Sequence, residues 1–409
     1  MYDVIVVGAR VAGAATAMLL ARAGLRVLAV DRVTFPSDTV SSHQVQLTGV
    51  ARLRRWGILP QLVAAGTPPT RTVRLDAGAV VRGEFPAHDG VDALYSPRRT
   101  LLDALLVDAA RGAGAEVRES FRVESLMWRD GRVVGIRGRE RTGPAVDESA
   151  TLVIGADGKH SLVAEAVNAG TYRERPVAAF ASYGYWHGLA GDGGEFYQRA
   201  GRAVAVFPTN DGLTMVYAAS PLSEFDQARA DLDGFYRRTL DSCGDLGERI
   251  RTADRVERLR TTPDQPNRFR VSHGPGWALV GDAGVVMDSV SAQGISNALR
   301  DAELLAEAIV SGLATGNLDQ ALARHGWERD RAISAMYDFT MDLARLDAPS
   351  LGLRLLLAGI ASRPDEVSRL LGAFAGITPP DDYFRAGNLA RVLATGLRPR
   401  GQRPVRAHR

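Results

Sequence analysis

The first 31 residues constrain the fold more than any other stretch of this chain. Tyr2 to Val7 is an apolar, β-branched run that stops at Gly8, as a strand buried inside a parallel sheet does. Ala12 to Ala23 is small and helix-favouring, Gly24 suits a helix C-terminus, and Arg26 to Val30 is a second apolar run ending at Asp31. Strand, turn, helix and strand in about 30 residues make a βαβ unit, which needs further strands beside it and helices over its faces.

Two later segments can supply those strands. Thr151 to Ile154 leads into Gly155-Ala156-Asp157-Gly158, and Trp277 to Val280 leads into Gly281-Asp282-Ala283-Gly284. Between them Tyr183 to His187, Ala203 to Phe207 and Leu213 to Ala219 read as antiparallel strands separated by glycine-rich turns. Arg99 to Arg111 reads as an amphipathic helix, and Arg122 to Arg137 as a hairpin turning at Asp130-Gly131. Beyond about residue 335 the pattern is mostly helical, with breaks at Pro364 and Pro379-Pro380.

The expected fold class is therefore α/β. Residues 1–72, 97–174 and 265–335 are expected to form a Rossmann-type domain, with 73–96 and 175–264 as an inserted antiparallel β-sheet substrate domain. Residues 336–409 form a helical C-terminal region, and Arg398 to Arg409 read as a frayed, solvated Arg/Pro tail.

Composition narrows the partners. Lys159 is the only lysine, so arginine supplies the rest of the 50 basic residues, and 47 acids leave a net charge of +3. Basic and acidic residues are interspersed and no basic run is interleaved with aromatics, so no nucleic-acid partner is expected. Cys243 stands alone, without an intramolecular disulfide partner. No basic stretch precedes Val4 to Val7, and the longest later apolar candidate, Leu351 to Ile360, is interrupted by Arg354, far short of the roughly 18 apolar residues of a membrane span. A cytoplasmic protein without a membrane span is expected. His88, His273 and His325 have no companions at metal-ligand spacing, so no metal is expected.

Gly8-Ala9-Arg10-Val11-Ala12-Gly13, followed by Asp31-Arg32, is a dinucleotide fingerprint in which Arg10 occupies the middle glycine position. Gly8 permits the tight turn and Gly13 close packing of helix on strand, while the amides at Val11 and Ala12 open a helix that can receive a pyrophosphate. Asp31 can accept hydrogen bonds from ribose hydroxyls. An outward-turned Arg10 could add positive charge beside the phosphates.

Together with Gly155-Ala156-Asp157-Gly158 and Gly281-Asp282-Ala283-Gly284, this segment resembles the three signatures of the FAD-dependent aromatic hydroxylases, the class A flavoprotein monooxygenases. That family is related to flavin halogenases and geranylgeranyl reductases, and the similarity spans about residues 1 to 330. The resemblance implies FAD as cofactor, with Asp157 and Gly158 beside it, Asp282 bonded to its ribityl chain, and Gln293-Gly294 opening a helix aimed at the flavin ring. In Arg99-Thr100-Leu101-Leu102-Asp103 it selects Arg99 over Arg98 as a cofactor contact.

The activity implied is hydroxylation or epoxidation of an apolar or aromatic small molecule by molecular oxygen, with NADH or NADPH as transient reductant. The alternatives are a reductase of a prenyl or other alkene substrate and a non-catalytic flavin-binding module. Halogenation ranks lower, because the only lysine lies inside the Asp157-Gly158 motif. The chain departs from the family at Ala164, where an arginine is usual, and at Ser289, where hydroxylases carry proline close to the oxygen-activating face; Lys159 or His160 could substitute for the missing arginine.

Tyr183, Tyr185 and His187 alternate on one face of a strand with Trp186 on the other. His187, Tyr185 and His43 are candidate catalytic groups, the histidines as bases. Phe207-Pro208 resembles the family's Phe-Pro pocket element, and with Tyr183 and Ser289 completes the expected substrate pocket. Nothing in the sequence fixes the oligomeric state.

Overall fold

A computed structural model describes residues 1–396. Tyr2–Val7 lies between Val27–Val30 and Val146–Gly155, parallel to both. Trp277–Leu279 pairs in parallel with Val146–Gly155, and Glu116–Arg118 adds a fifth parallel strand beside Val27–Val30. Val4 and Val6 face a cluster with Met18, Leu102 and Leu299, whereas Ile5 and Val7 face Phe121, Ile136 and Val163. Burial on both faces is why the first strand is unbroken apolar from Val4 to Val7.

The helices Val11–Arg22, Arg99–Gly112 and Gly294–Thr315 cover one face of this Rossmann-type sheet. The hairpin Phe121–Arg129 and Arg132–Glu140 covers the other. It turns at Asp130 (φ 50°) and Gly131 (φ 74°), two left-handed residues as a tight hairpin turn requires.

The inserted sheet centres on Ala179–His187, Leu213–Pro221 and Arg202–Pro208, all antiparallel neighbours. Gly194–Arg199 continues it and pairs in parallel with Thr72–Asp76, which brings the hairpin Thr72–Asp76 and Val80–Glu84 into the same sheet. One face carries Tyr183, Tyr185, Phe207, Met215 and Tyr217 against Val290 and Leu343. The other carries Trp186, Tyr197 and Val216 against Tyr236, Leu240 and Cys243.

The C-terminal region is helical. Leu356, Leu357 and Ile360 of Leu351–Ile360, with Val367 and Leu370 of Pro364–Phe374, pack on the edge strand through Val81 and Phe85. This gives the last strand of the inserted sheet an apolar cover on one face. No described helix is long and apolar enough to cross a membrane. The Arg398 to Arg409 segment lies outside the described residues.

The turns that end the parallel strands meet at close range. Gly8 has φ +98°, and a Cβ there would sit 2.5 Å from the Ala156 carbonyl oxygen; a Cβ at Gly281 (φ +62°) would sit 2.7 Å from the Ala12 methyl. Gly13 could carry no side chain without striking the Gly8 carbonyl. Gly158 shares the left-handed backbone (φ +84°) but has open space around it. Gly8→Ala is therefore expected to lower unfolding free energy by about 2 kcal/mol or more, and Gly158→Ala by only about 1 kcal/mol, in urea titrations without added flavin.

Candidate functional site

A cleft of about 880 Å³ opens where these turns meet and extends to the face of the inserted sheet. Gly8, Arg10, Val11, Ala12, Asp31 and Arg32 line one end. The Asp31 carboxylate accepts hydrogen bonds from the Ala9 amide at 2.7 Å and the Val33 amide at 3.0 Å, which fixes it at the strand end. The Val11–Arg22 helix starts here without a side-chain cap or an acid in its first turn, so its amides remain for an anion.

Arg10 has φ −80° and needs none of glycine's conformational freedom. Its guanidinium donates to Asp103 at 2.6 Å, to the Ser37 hydroxyl and to the Ser37 and Asp38 carbonyls, tying that loop down. Asp103 is wholly buried and takes a two-pronged ion pair from Arg99, at 2.9 and 3.0 Å. Arg99 lines the cleft, whereas Arg98 bonds Glu257 at 2.6 Å and lies 4.0 Å over the Tyr185 ring.

Asp157, Gly158, Gly281 and Asp282 line the middle. Asp157 accepts from the Ser161 hydroxyl and from the Leu162 amide at 2.7 Å; burial raises its pKa above 3.8 while these bonds oppose the rise. Asp282 is exposed to the cleft, and the depth of protein around it raises its carboxyl pKa, with Arg99 opposing. Gly13 does not line the cleft; its place is the helix–strand contact.

Several supports went unread in the sequence. Asp301 accepts the Gly281 amide at 2.8 Å and meets Nε2 of the wholly buried His325 at 2.8 Å. Arg270 donates to the Ala283 and Lys159 carbonyls and so joins the second turn to the third. These partners lie outside the motifs, 13 residues away for Arg270 and Ala283 and 20 for Asp301 and Gly281, and only tertiary packing brings them together. Lys159 and His160 both pair with Asp264, at 3.1 and 2.6 Å. Ala164 is a core residue of the short Leu162–Ala166 helix, which Ser161 caps.

At the far end Gly294 starts a 22-residue helix with no side-chain cap and faces the cleft, but the Gln293 side chain turns away to the Phe374 carbonyl at 2.9 Å. Ala181, Tyr183 and Tyr217 of the inserted sheet stand opposite Met287, Asp288 and Ser289. The Ser289 hydroxyl donates to Gln265 Oε1 and lies 2.9 Å from the Tyr217 hydroxyl. Gln265 Nε2 donates to Asp288 at 3.4 Å, and the Val290 amide donates to Asp288 at 2.9 Å. Asp288 is 1% exposed, and burial pushes its carboxyl up to about 7 against the opposing Val290 bond. Asp288 and Gln265 were also missed; Asp288 adjoins the Ser289 departure, which was the one available signal.

The expected catalytic groups sit apart from this wall. His43 is wholly buried with Nε2 bonded to the Tyr185 hydroxyl, and Nδ1 has no hydrogen-bond partner. Burial, then the charges of Arg99, Arg98 and Arg260, pushes its pKa well below 6.5, while burial raises that of Tyr185. Alternation along the strand does set Tyr183 and Tyr185 against Trp186. His187, however, is exposed at the strand end and outside the cleft wall, because only the Ala181–Tyr183 half of the strand borders the cleft. Phe207 is buried in the sheet core beside Tyr185, and neither it nor Pro208 lines the cleft.

Two uncapped helix N-termini, a ribose-height acid at Asp31, a cleft-facing Arg99 and turns stripped of side chains fit a long anionic dinucleotide carrying a ring system. Arg99→Ala is expected to weaken FAD binding about 10- to 100-fold by equilibrium ultrafiltration, as loss of a charge-assisted contact does. Arg98→Ala, at a side chain that does not line the cleft, should stay within about threefold.

Comparison with known proteins agrees with this geometry. A family model described as "FAD binding domain" matches residues 1–340. The chain is 33% identical to FixC of Salmonella typhi over 177 residues, which is 40% of this chain and only 38% of that relative's length. It is 27% identical to the digeranylgeranylglycerophospholipid reductase of Methanocella arvoryzae over 346 residues, 82% of this chain and 85% of the relative. The crystal structure of Pseudomonas aeruginosa PqsL in complex with 2-aminobenzoylacetate shares the fold, with a TM-score of 0.73 and 22% identity over 84% of this chain and 95% of that one. A match running through all three glycine-acid turns settles the matter: the chain belongs to the FAD-binding-domain family.

Proposed function

We propose that the protein is a cytoplasmic monooxygenase that hydroxylates or epoxidises an apolar or aromatic small molecule bearing a hydrogen-bond donor, with NADPH or NADH as reductant. FAD, when bound, supplies two-electron redox chemistry and the activation of oxygen. Asp31 and Asp282 would hold the ribose and ribityl hydroxyls, with Asp157 and Gly158 between them. The Gly294 helix N-terminus and Arg99 would favour negative charge at the cofactor.

The observation that carries this reading is the ordered chain from Asp288 through Gln265 and Ser289 to Tyr217. Gln265 uses its amide N–H on Asp288, so its carbonyl must accept, and the Ser289 hydroxyl donates to it. Ser289 can then only accept from Tyr217, whose hydroxyl proton is thereby committed. The remaining lone pair of Tyr217 is left as an acceptor for a substrate O–H or N–H. Asp288, titrating near neutrality in the same wall, can take up the proton that an activated phenol or amine releases. His43 and Tyr185 titrate far from neutrality on opposite sides and act as a fixed pair behind Tyr183. Ala181, Val285, Val286, Met287 and Ile295 add apolar side chains to the same cleft, against which an apolar or aromatic substrate can pack.

PqsL, named as a probable FAD-dependent monooxygenase and crystallised with an aromatic ligand, lends the oxygenase reading support at the level of fold. The match to a digeranylgeranylglycerophospholipid reductase over most of both chains favours a second reading, reduction of an alkene chain in the same cleft. Halogenation is disfavoured, since Lys159 is engaged by Asp264.

Turnover of a panel of phenols, anilines and indoles with NADPH under ¹⁸O₂ is expected to give products heavier by one labelled oxygen. A product formed equally well without oxygen, with a saturated double bond, would instead establish the reductase. In the oxygenase case kcat should rise with pH through about 7, and Asp288→Asn should abolish that limb and cost about a hundredfold. Asp288 also couples to stability. Its folded pKa of about 7 exceeds the ordinary 3.8, so the folded state binds more protons between those values and wild-type stability falls as pH rises through that window. Asp288→Asn should remove that part of the slope in chemical denaturation at pH 5 and pH 8.

A further inference from the structure

Tyr183 and Tyr217 are direct neighbours in the antiparallel pairing of Ala179–His187 with Leu213–Pro221. Both therefore stand on the cleft side of the inserted sheet, with Cβ atoms about 5 Å apart. Their hydroxyls differ in what they can still do. The Tyr217 proton is committed to Ser289, which leaves only a lone pair to offer. The Tyr183 hydroxyl, on a residue only 2% exposed, has no hydrogen-bond partner among the described residues.

Burial raises the Tyr183 pKa, and the Arg260 charge and the Ser41 amide oppose that rise. Both opposing groups are N–H donors, so neither can take the Tyr183 proton. A buried O–H without an acceptor is costly, and a ligand that brings one recovers the cost. An uncharged acceptor suits the place best. A carboxylate would add negative charge to a wall where Asp38 and Asp288, after burial, already raise the pKa values of Tyr183 and Tyr217. Arg260 is the cation on that side, and its charge is shared between Asp38 at 2.8 Å and Glu257 at 3.5 Å.

We propose that the substrate carries a neutral hydrogen-bond acceptor, a carbonyl oxygen above all, in addition to its O–H or N–H donor, and that the two tyrosines read both groups together. Tyr183 donates to the carbonyl, and Tyr217 accepts from the donor. This rests on the reading of the cleft as one for an aromatic substrate. It narrows the class from phenols, anilines and indoles at large to those that bear a ketone, aldehyde or amide, and it makes Tyr183 the residue that sets the preference.

Hydroxyacetophenones and ethylphenols differ only in C=O against CH2, so each positional isomer makes a matched pair. Binding to the FAD-loaded protein can be read from the shift in the flavin's visible absorbance. At least one hydroxyacetophenone isomer should bind about tenfold or more tightly than its ethylphenol, and Tyr183→Phe should bring that pair within about twofold of parity. Tyr217→Phe, which removes the acceptor for the shared phenol O–H, should weaken both members of the pair. The hydroxybenzoate of the same isomer should bind less tightly than the ketone. Equal binding within every pair, a preference undiminished in Tyr183→Phe, or a hydroxybenzoate that outbinds its ketone would overturn the proposal. Ethylphenols that bind and incorporate ¹⁸O without any such preference would overturn this proposal alone, whereas no binding by any of these phenols would overturn the aromatic-substrate reading with it.

Discussion

Everything at the site depends on how closely the turns that end the parallel strands pack against their neighbours. Gly8 lies against Ala156, and Gly281 against Ala12, at distances that exclude a methyl group. The amides and acids at these turns therefore converge on one volume instead of being held apart by side chains. A ligand with a long polyanionic spine can then touch three segments that are more than a hundred residues apart in sequence, Gly8, Asp157 and Asp282, within a single cleft.

Polar clamps behind the turns preserve that convergence. The buried carboxylates Asp103, held by Arg10 and Arg99, and Asp301, held by the Gly281 amide and His325, each carry more than one partner. Such groups are costly when one partner is lost, so they specify a single arrangement of the turns more strongly than apolar packing would. Arg329, also wholly buried, reaches the Arg270 carbonyl and the Tyr172 hydroxyl and extends the same support toward the long Leu318–Ala344 helix. At the inserted-sheet end of the cleft the polar groups Asp288, Gln265, Ser289 and Tyr217 stand in a fixed order.

The βαβ opening, the two returning strands and the hairpin at Asp130-Gly131 were legible because each is local: a run of apolar residues, a glycine, a turn pair. Arg10 was harder to interpret, since only its dihedral angles and the presence of Asp103 reveal why a side chain is tolerated there. His187 misled because alternation fixes the face of a strand and not how far along it a pocket reaches. Asp288 and Gln265 could not be found from spacing at all. Their character comes from burial and from hydrogen bonds between residues more than twenty positions apart. The parallel pairing of Thr72–Asp76 with Gly194–Arg199 was equally hidden, as nothing local announces which distant strand an edge will choose.

The interleaved order of the strands sets a timetable for synthesis. Tyr2–Val7 gains its Val146–Gly155 neighbour only after more than a hundred further residues have left the ribosome, and Trp277–Leu279 arrives later still, after the whole inserted sheet. The nascent βαβ unit must wait with one flank of its central strand unpaired, a state in which exposed strand edges favour association with other chains. The inserted sheet depends on an early hairpin, Thr72–Asp76 and Val80–Glu84, and on helices made last to cover its edge. How long that flank stays unpaired is set by the chain's topology, quite apart from how stable the finished protein is.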